Sequence, residues 1–137
     1  MRPLVLDAEA LNALIGPGSP RQRAVRAALT SAASMARPVV VPAVVLAELC
    51  RGRRRTAAVD SFLVRKERVV TVRETDHALA RYASSVLAAA GAGSELMADA
   101  HTVAVVVEAG GGVVLTGDPD DVGRLAAHYP AVMVAAL

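Results

Sequence analysis

Four acidic residues of this 137-residue chain stand beside apolar stretches, where charge is least expected. Asp7 ends the run Leu4-Val5-Leu6, and Glu48 follows Val44-Val45-Leu46-Ala47. Asp99 lies between Met97-Ala98 and the run Val103–Val107, and Asp118 follows Val113-Val114-Leu115-Thr116-Gly117. A carboxylate at the edge of a buried element is costly unless it is paired, hydrogen-bonded or bound to a metal. Four of them in one small chain point to a single acidic cation site assembled by the fold.

Each acid also has a plainer explanation. Asp7 is placed to cap a helix. Glu48 lies too deep in its helix to be a cap, but could pair with Arg51 or Arg55. Asp99 falls in the first turns of a helix, where negative charge suits the dipole. Asp118 opens Gly117-Asp118-Pro119-Asp120-Asp121, a natural turn in which one of the three acids is structural. Glu95 precedes Asp99 by four residues, on the same face if one helix carries both, and extends the acidic patch or helps the helix start. Glu9 is read as exposed, pointing away from Asp7.

Other chemistries lack their residues. His77, His101 and His128 show no ligand spacing and Cys50 is the only cysteine, so zinc is disfavoured; oxygen ligands favour Mg²⁺ or Mn²⁺. No serine pairs with a histidine as a triad would require. Gly110-Gly111-Gly112 precedes a strand rather than following one, so it is not a phosphate loop.

The elements that must position these acids alternate. Strands are expected at Leu4–Asp7, Pro38–Val41, Arg68–Val72, Val113–Thr116 and Ala131–Val134. Helices are expected at Ala8–Ile15, Pro20–Ala36, Pro42 to about Arg51, Thr56–Lys66, from a Thr75 cap to about Ala90, Glu95–Glu108 with Ser94 as cap, and Asp120–His128. The second helix carries an arginine face of Arg21, Arg23 and Arg26. Strands alternating with helices predict an α/β chain with a mainly parallel sheet of about five strands. In such sheets ligands bind beyond the carboxyl ends of the strands, where Asp7 and Asp118 fall.

Length and composition fit one domain, residues 1–137, able to bury a core without staples. Hydrophobic residues make up 54%, much of it alanine and valine. That is more than a lone monomer needs, and a homodimer or a bound partner would cover the excess. No apolar run approaches the roughly 20 residues of a membrane helix. Met1-Arg2-Pro3-Leu4 lacks a signal-peptide layout, and a single cysteine suits a reducing compartment, so a soluble cytoplasmic protein is expected. Fourteen of the fifteen basic residues are arginine, Lys66 being the exception, and the net charge is +2. Arginine forks match phosphate oxygens. With Phe62, Tyr82 and Tyr129 as the only aromatics, a base-stacking platform is not expected. Arg51, Arg53, Arg54 and Arg55 form the densest basic cluster, either a guide for an RNA backbone near Glu48, a solvated helix end, or a seat for an acidic partner.

The ordered set Leu-Asp7, Ala-Glu48-Leu, Ala-Asp99-Ala and Leu-Thr116-Gly-Asp118 resembles the PIN-domain family, and within it the VapC-type toxins of bacterial toxin–antitoxin pairs. The resemblance spans essentially the whole chain. It implies a three-layer α/β/α sandwich and a Mg²⁺- or Mn²⁺-dependent endoribonuclease that leaves 5′-phosphate and 3′-hydroxyl ends. The family's acidic positions map onto Asp7, Glu48, Asp99 and Asp118, and its supporting hydroxyl residue onto Thr116. Asp121 matches a position often acidic in the family. Ala8 departs from the pattern, since a hydroxyl residue is common there. The resemblance further implies a small VapB-like antitoxin that covers an apolar groove and places a basic residue in the acidic pocket. Two other readings compete. In a haloacid-dehalogenase-type phosphatase, Asp7 would be the nucleophile, Asp118–Asp121 the metal loop and Lys66 the catalytic lysine, although Glu9 stands where aspartate is usual. A degenerate domain would only bind RNA or a partner.

Overall fold

The structure, a computed structural model, describes residues 2–137. The chain runs β1 (Leu4–Leu6), α1 (Ala8–Ile15), α2 (Pro20–Ser34), β2 (Val39–Pro42), α3 (Ala43–Leu49), α4 (Arg53–Arg65), β3 (Val70–Arg73), α5 (His77–Ala90), α6 (Met97–Glu108), β4 (Gly112–Thr116), α7 (Pro119–Ala126) and β5 (Val132–Ala136). The five strands form one sheet in the order β3-β2-β1-β4-β5, every pair parallel.

Side chains of a strand alternate between faces, and both faces of this sheet are covered. Val5 and Val114 pack with Leu79, Ala83, Val103 and Leu125 beneath α5, α6 and α7. Leu4, Leu6, Val39, Val41 and Leu115 pack with Leu11, Val25, Val45 and Phe62 beneath α1–α4. The result is the expected three-layer α/β/α sandwich. It also explains why the strands read as continuous apolar runs rather than as alternating ones. Among the described residues no helix is long and apolar enough to cross a membrane.

This topology places the acids. The chain leaves β1 in one direction to build β2 and β3, then returns to lay β4 on the other side of β1. β1 and β4 therefore flank the point where the strand order reverses, and ligands of parallel α/β sheets bind at that point. Gly112 makes the return tight: its φ is +155°, and a Cβ there would lie 2.5 Å from the Pro3 carbonyl oxygen.

Several element boundaries differ from expectation for local physical reasons. α5 is capped by Asp76 rather than Thr75: the Asp76 carboxylate accepts the Leu79 N–H at 2.9 Å and the Arg73 guanidinium holds it at 3.1 Å. Residues Ser94–Leu96 form a 3₁₀ turn, so α6 starts at Met97 with no side-chain cap. α3 ends at Leu49, and α4 starts at Arg53, three residues before the expected Thr56. Gly52, with φ +91°, makes that turn. Arg53, Arg54 and Arg55 are thus the first turn of α4.

Candidate metal centre

Asp7 has two tasks. It is 4% exposed, caps α1 through Oδ1, which accepts the Ala10 N–H at 2.8 Å, and accepts the Gly117 N–H through Oδ2 at 3.2 Å. The helix-cap reading and the site reading of this residue are therefore compatible. Thr116, fully buried at the end of β4, uses its Oγ1 to accept the Asp118 N–H at 2.8 Å. Asp118 precedes α7 without capping it through its side chain, so its carboxylate is left to meet that of Asp121. α7 begins at Pro119, and Asp121, three residues after Asp118, reaches back beside it.

Carboxylate oxygens of Asp99, Asp118 and Asp121 all lie within 4.8 Å of one another. Burial, followed by the charges of Asp7, Asp118, Glu48 and Asp121, pushes the Asp99 carboxyl up to about 7. The Asp121 carboxyl is raised by its hydrogen bond and repulsion with Asp118. Three of the four acids singled out in the sequence, Asp7, Glu48 and Asp118, thus act by charge on the fourth, Asp99. The tight group is Asp99, Asp118 and Asp121, while among the acidic neighbours the charge of Asp7 acts most strongly on Asp99. Glu48 is exposed on α3, and neither Arg51 nor Arg55 pairs with it.

The centre fits a hard divalent cation. Its donors are oxygens, Arg124 offsets only part of the charge at Asp121, whose carboxyl stays raised, and oxygens within 4.8 Å of one another can close on one Mg²⁺, where opposed oxygens lie about 4.2 Å apart. Repulsion among ionised acids is relieved only by a proton or a cation.

Glu95 stays outside this group. It lies on the 3₁₀ turn, not on the helix of Asp99, and its carboxylate folds back to accept the Gly93 N–H at 3.3 Å. Lys66, needed by the phosphatase reading, ends α4 beside Leu14, Phe62 and Arg65, away from the acids. The arginine cluster does not enter the centre either. Arg51, Arg53, Arg54 and Arg55 line a groove of about 940 Å³ with Asn12 and Arg21.

Glu9 is the residue that sequence reasoning missed. It is exposed as expected, but does not point away: it pairs with Arg21 at 3.4 Å and lies over Gly117, where any Cβ would collide with its carboxylate. The signal was Gly117 itself, a glycine between a strand end and an acid, which implies close approach of another chain segment.

Comparison with known proteins agrees with this geometry. The PIN-domain family model matches residues 4–127. Among solved structures, the crystal structure of VapBC2 from Rickettsia felis bound to a DNA fragment from their promoter is similar, with a TM-score of 0.67 at 15% identity over 98% of each chain. FitAB bound to the IR36 DNA fragment has a TM-score of 0.64 at 18% identity, over 97% of this chain and 94% of that one. No curated protein matches. With the family match extending from β1 through α7 and the acids gathered at the reversal of strand order, the chain belongs to the PIN-domain family.

Proposed function

We propose that the chain is a single-domain, metal-dependent endoribonuclease, the toxin of a toxin–antitoxin pair. The observation that carries this reading is the packing of Asp99, Asp118 and Asp121 oxygens within 4.8 Å at the carboxyl ends of β1 and β4. Three acids packed this closely repel one another, and apolar residues of similar volume would stabilise the fold better. Their repulsion is useful only where a cation offsets it.

Asp99, Asp118 and Asp121 would hold Mg²⁺ or Mn²⁺ together with the buried Asp7, and the exposed Glu48 would add charge. When bound, such an ion lowers the pKa of water and stabilises charge on a phosphodiester. The protein supplies the rest. Thr116 fixes the Asp118 backbone. Asp7, held by two backbone N–H groups, ties the ends of β1 and β4 together so that the acids meet without reorganising. Hydrolysis places a water oxygen on phosphorus and breaks the bond to the 3′ oxygen; one carboxylate accepts the water's proton, the departing 3′ oxygen takes up a proton from that carboxylate or from solvent, and a 5′-phosphate and a 3′-hydroxyl result.

The partner in this reading is a small antitoxin, in keeping with the two similar solved structures, both toxin–antitoxin complexes. A homodimer would cover part of the exposed apolar surface, such as Met35, Val64 and Met133, and the setting is the cytoplasm. Induced expression tests the proposal. Growth should stop, and sequencing of cellular RNA should show new 5′-phosphate ends that vanish with Asp118→Asn. Growth arrest without new RNA ends, or arrest by Asp118→Asn as well, would reject it.

A further inference from the structure

The groove beside the acidic centre carries charge that its own helix does not want. Arg53, Arg54 and Arg55 occupy the first turn of α4, which contains no acid and has no side-chain cap. Positive charge there opposes the helix dipole. Arg51, Arg53 and Arg54 make no ion pair or side-chain hydrogen bond among the described residues. Arg55 donates to Asn12 Oδ1, which joins the start of α4 to α1, and Arg21 is held by Glu9. The groove thus contains five arginines against one glutamate, more positive charge than the net +2 of the whole chain. Glu9 lines the groove and lies over Gly117, one residue from Asp118, so one wall of the groove adjoins the segment that carries Asp118.

We propose that this groove is the entry path of a single-stranded RNA, held by its phosphates and not by its bases; this rests on the ribonuclease reading above. Its volume, about 940 Å³, is at the upper end of the roughly 300–1,000 Å³ of ligand sites, far more than one anion needs. Unpaired guanidinium groups match phosphate oxygens. No aromatic side chain lines the groove, so it has no platform on which bases could stack. Contacts of this kind set register without reading sequence. Any choice of RNA target must then arise at the acidic centre or from the fold of the RNA, not from this groove. An acidic peptide is the competing occupant. The contact of the groove residue Glu9 with Gly117, next to Asp118, puts the arginines beside the proposed phosphodiester-cutting site and favours the nucleic acid.

The test is binding of fluorescent 12-mer RNAs, oligo-U and oligo-A, to the whole protein in EDTA, between about 50 and 200 mM salt. The variant is Arg51→Gln/Arg53→Gln/Arg54→Gln, which keeps the Arg55–Asn12 bond; Arg65→Gln/Arg68→Gln is the control. The variant should bind at least tenfold more weakly, and its log–log salt slope should fall by about 2, given roughly 0.7 per phosphate contact on a single strand. The two RNAs should bind within threefold of each other, and the control should match wild type. Thermal melting of the variant should be unchanged or raised, since the dipole conflict is relieved. Wild-type affinity and slope in the variant, tenfold preference for one RNA, or displacement of RNA by an equimolar oligo-glutamate would each overturn the proposal. Cleavage in Mg²⁺ separates the two ideas. A wild type that binds through these arginines yet cuts no RNA contradicts the nuclease reading alone; one that cuts while the variant still binds as wild type contradicts the groove alone.

Discussion

Asp7 Oδ2 accepts the Gly117 N–H at 3.2 Å across 110 residues of chain. That one bond joins the ends of β1 and β4, the two strands at which the sheet reverses its order. It holds the segment that carries Asp118 against the segment that carries Asp7. The acidic centre therefore depends on backbone positions as much as on carboxylates.

Gly117 should tolerate no side chain. Gly117→Ala would drive a methyl group into Glu9, whose Cβ would lie 2.8 Å away as well, and overpacking of this kind costs about 1–3 kcal/mol. Denaturant unfolding of Gly117→Ala, Glu9→Ala and the double variant should show the alanine at position 9 recovering much of the loss. Strictly additive effects would mean that the two residues do not meet.

Thr116→Val should leave the fold intact but loosen Asp118, whose N–H would lose its acceptor at 2.8 Å. A fully buried N–H without a partner costs about 1–3 kcal/mol, and this half-buried one should cost less. Cleavage and Mg²⁺ affinity should both drop about tenfold or more, while Thr116→Ser retains most of each. Equal activity of the valine and serine variants would remove Thr116 from the account.

Asp99 makes stability depend on pH in an uncommon direction. Its ordinary value is 3.8, and burial with four acidic neighbours raises it to about 7. Between those values the folded chain holds a proton that the unfolded chain has released, so stability is full below about pH 4 and falls as pH rises through 7. Metal-free protein should melt several degrees lower near pH 8 than the other groups alone would dictate. Asp99→Asn should flatten that fall. Because a cation favours the ionised form, Mg²⁺ should raise the melting temperature more near pH 8 than near pH 5. A Mg²⁺ effect independent of pH would contradict the assignment.

Much of the fold and of the acidic centre is legible in the order of residues alone. Apolar runs followed within two residues by an acid mark β1 and β4, because a carboxylate does not continue a buried strand. Their positions then place Asp7 and Asp118 on the ligand edge. Asp121 is legible only in part: three residues after Asp118 puts it alongside, but the direction of α7 decides whether it faces Asp99. Glu9 is hidden, since its contact with Gly117 joins segments more than a hundred residues apart. Glu95 is easily misplaced, because a 3₁₀ turn and the first turn of an α-helix carry the same local signals, and the change of hydrogen-bond partner rotates the side chain off the face of Asp99. Arg53 as a helix start is illegible for a related reason: a first turn of three arginines runs against every capping preference.

The central claim is that the Asp99–Asp118–Asp121 centre cuts RNA with a bound cation. It is tested most directly by incubating purified wild type and Asp99→Asn with a structured RNA in Mg²⁺ and in EDTA. Cleavage by wild type in Mg²⁺ alone, with Asp99→Asn reduced at least a hundredfold while folded and thermally no less stable, is the expected result. Equal cleavage by the two proteins, or cleavage that survives EDTA, would contradict it.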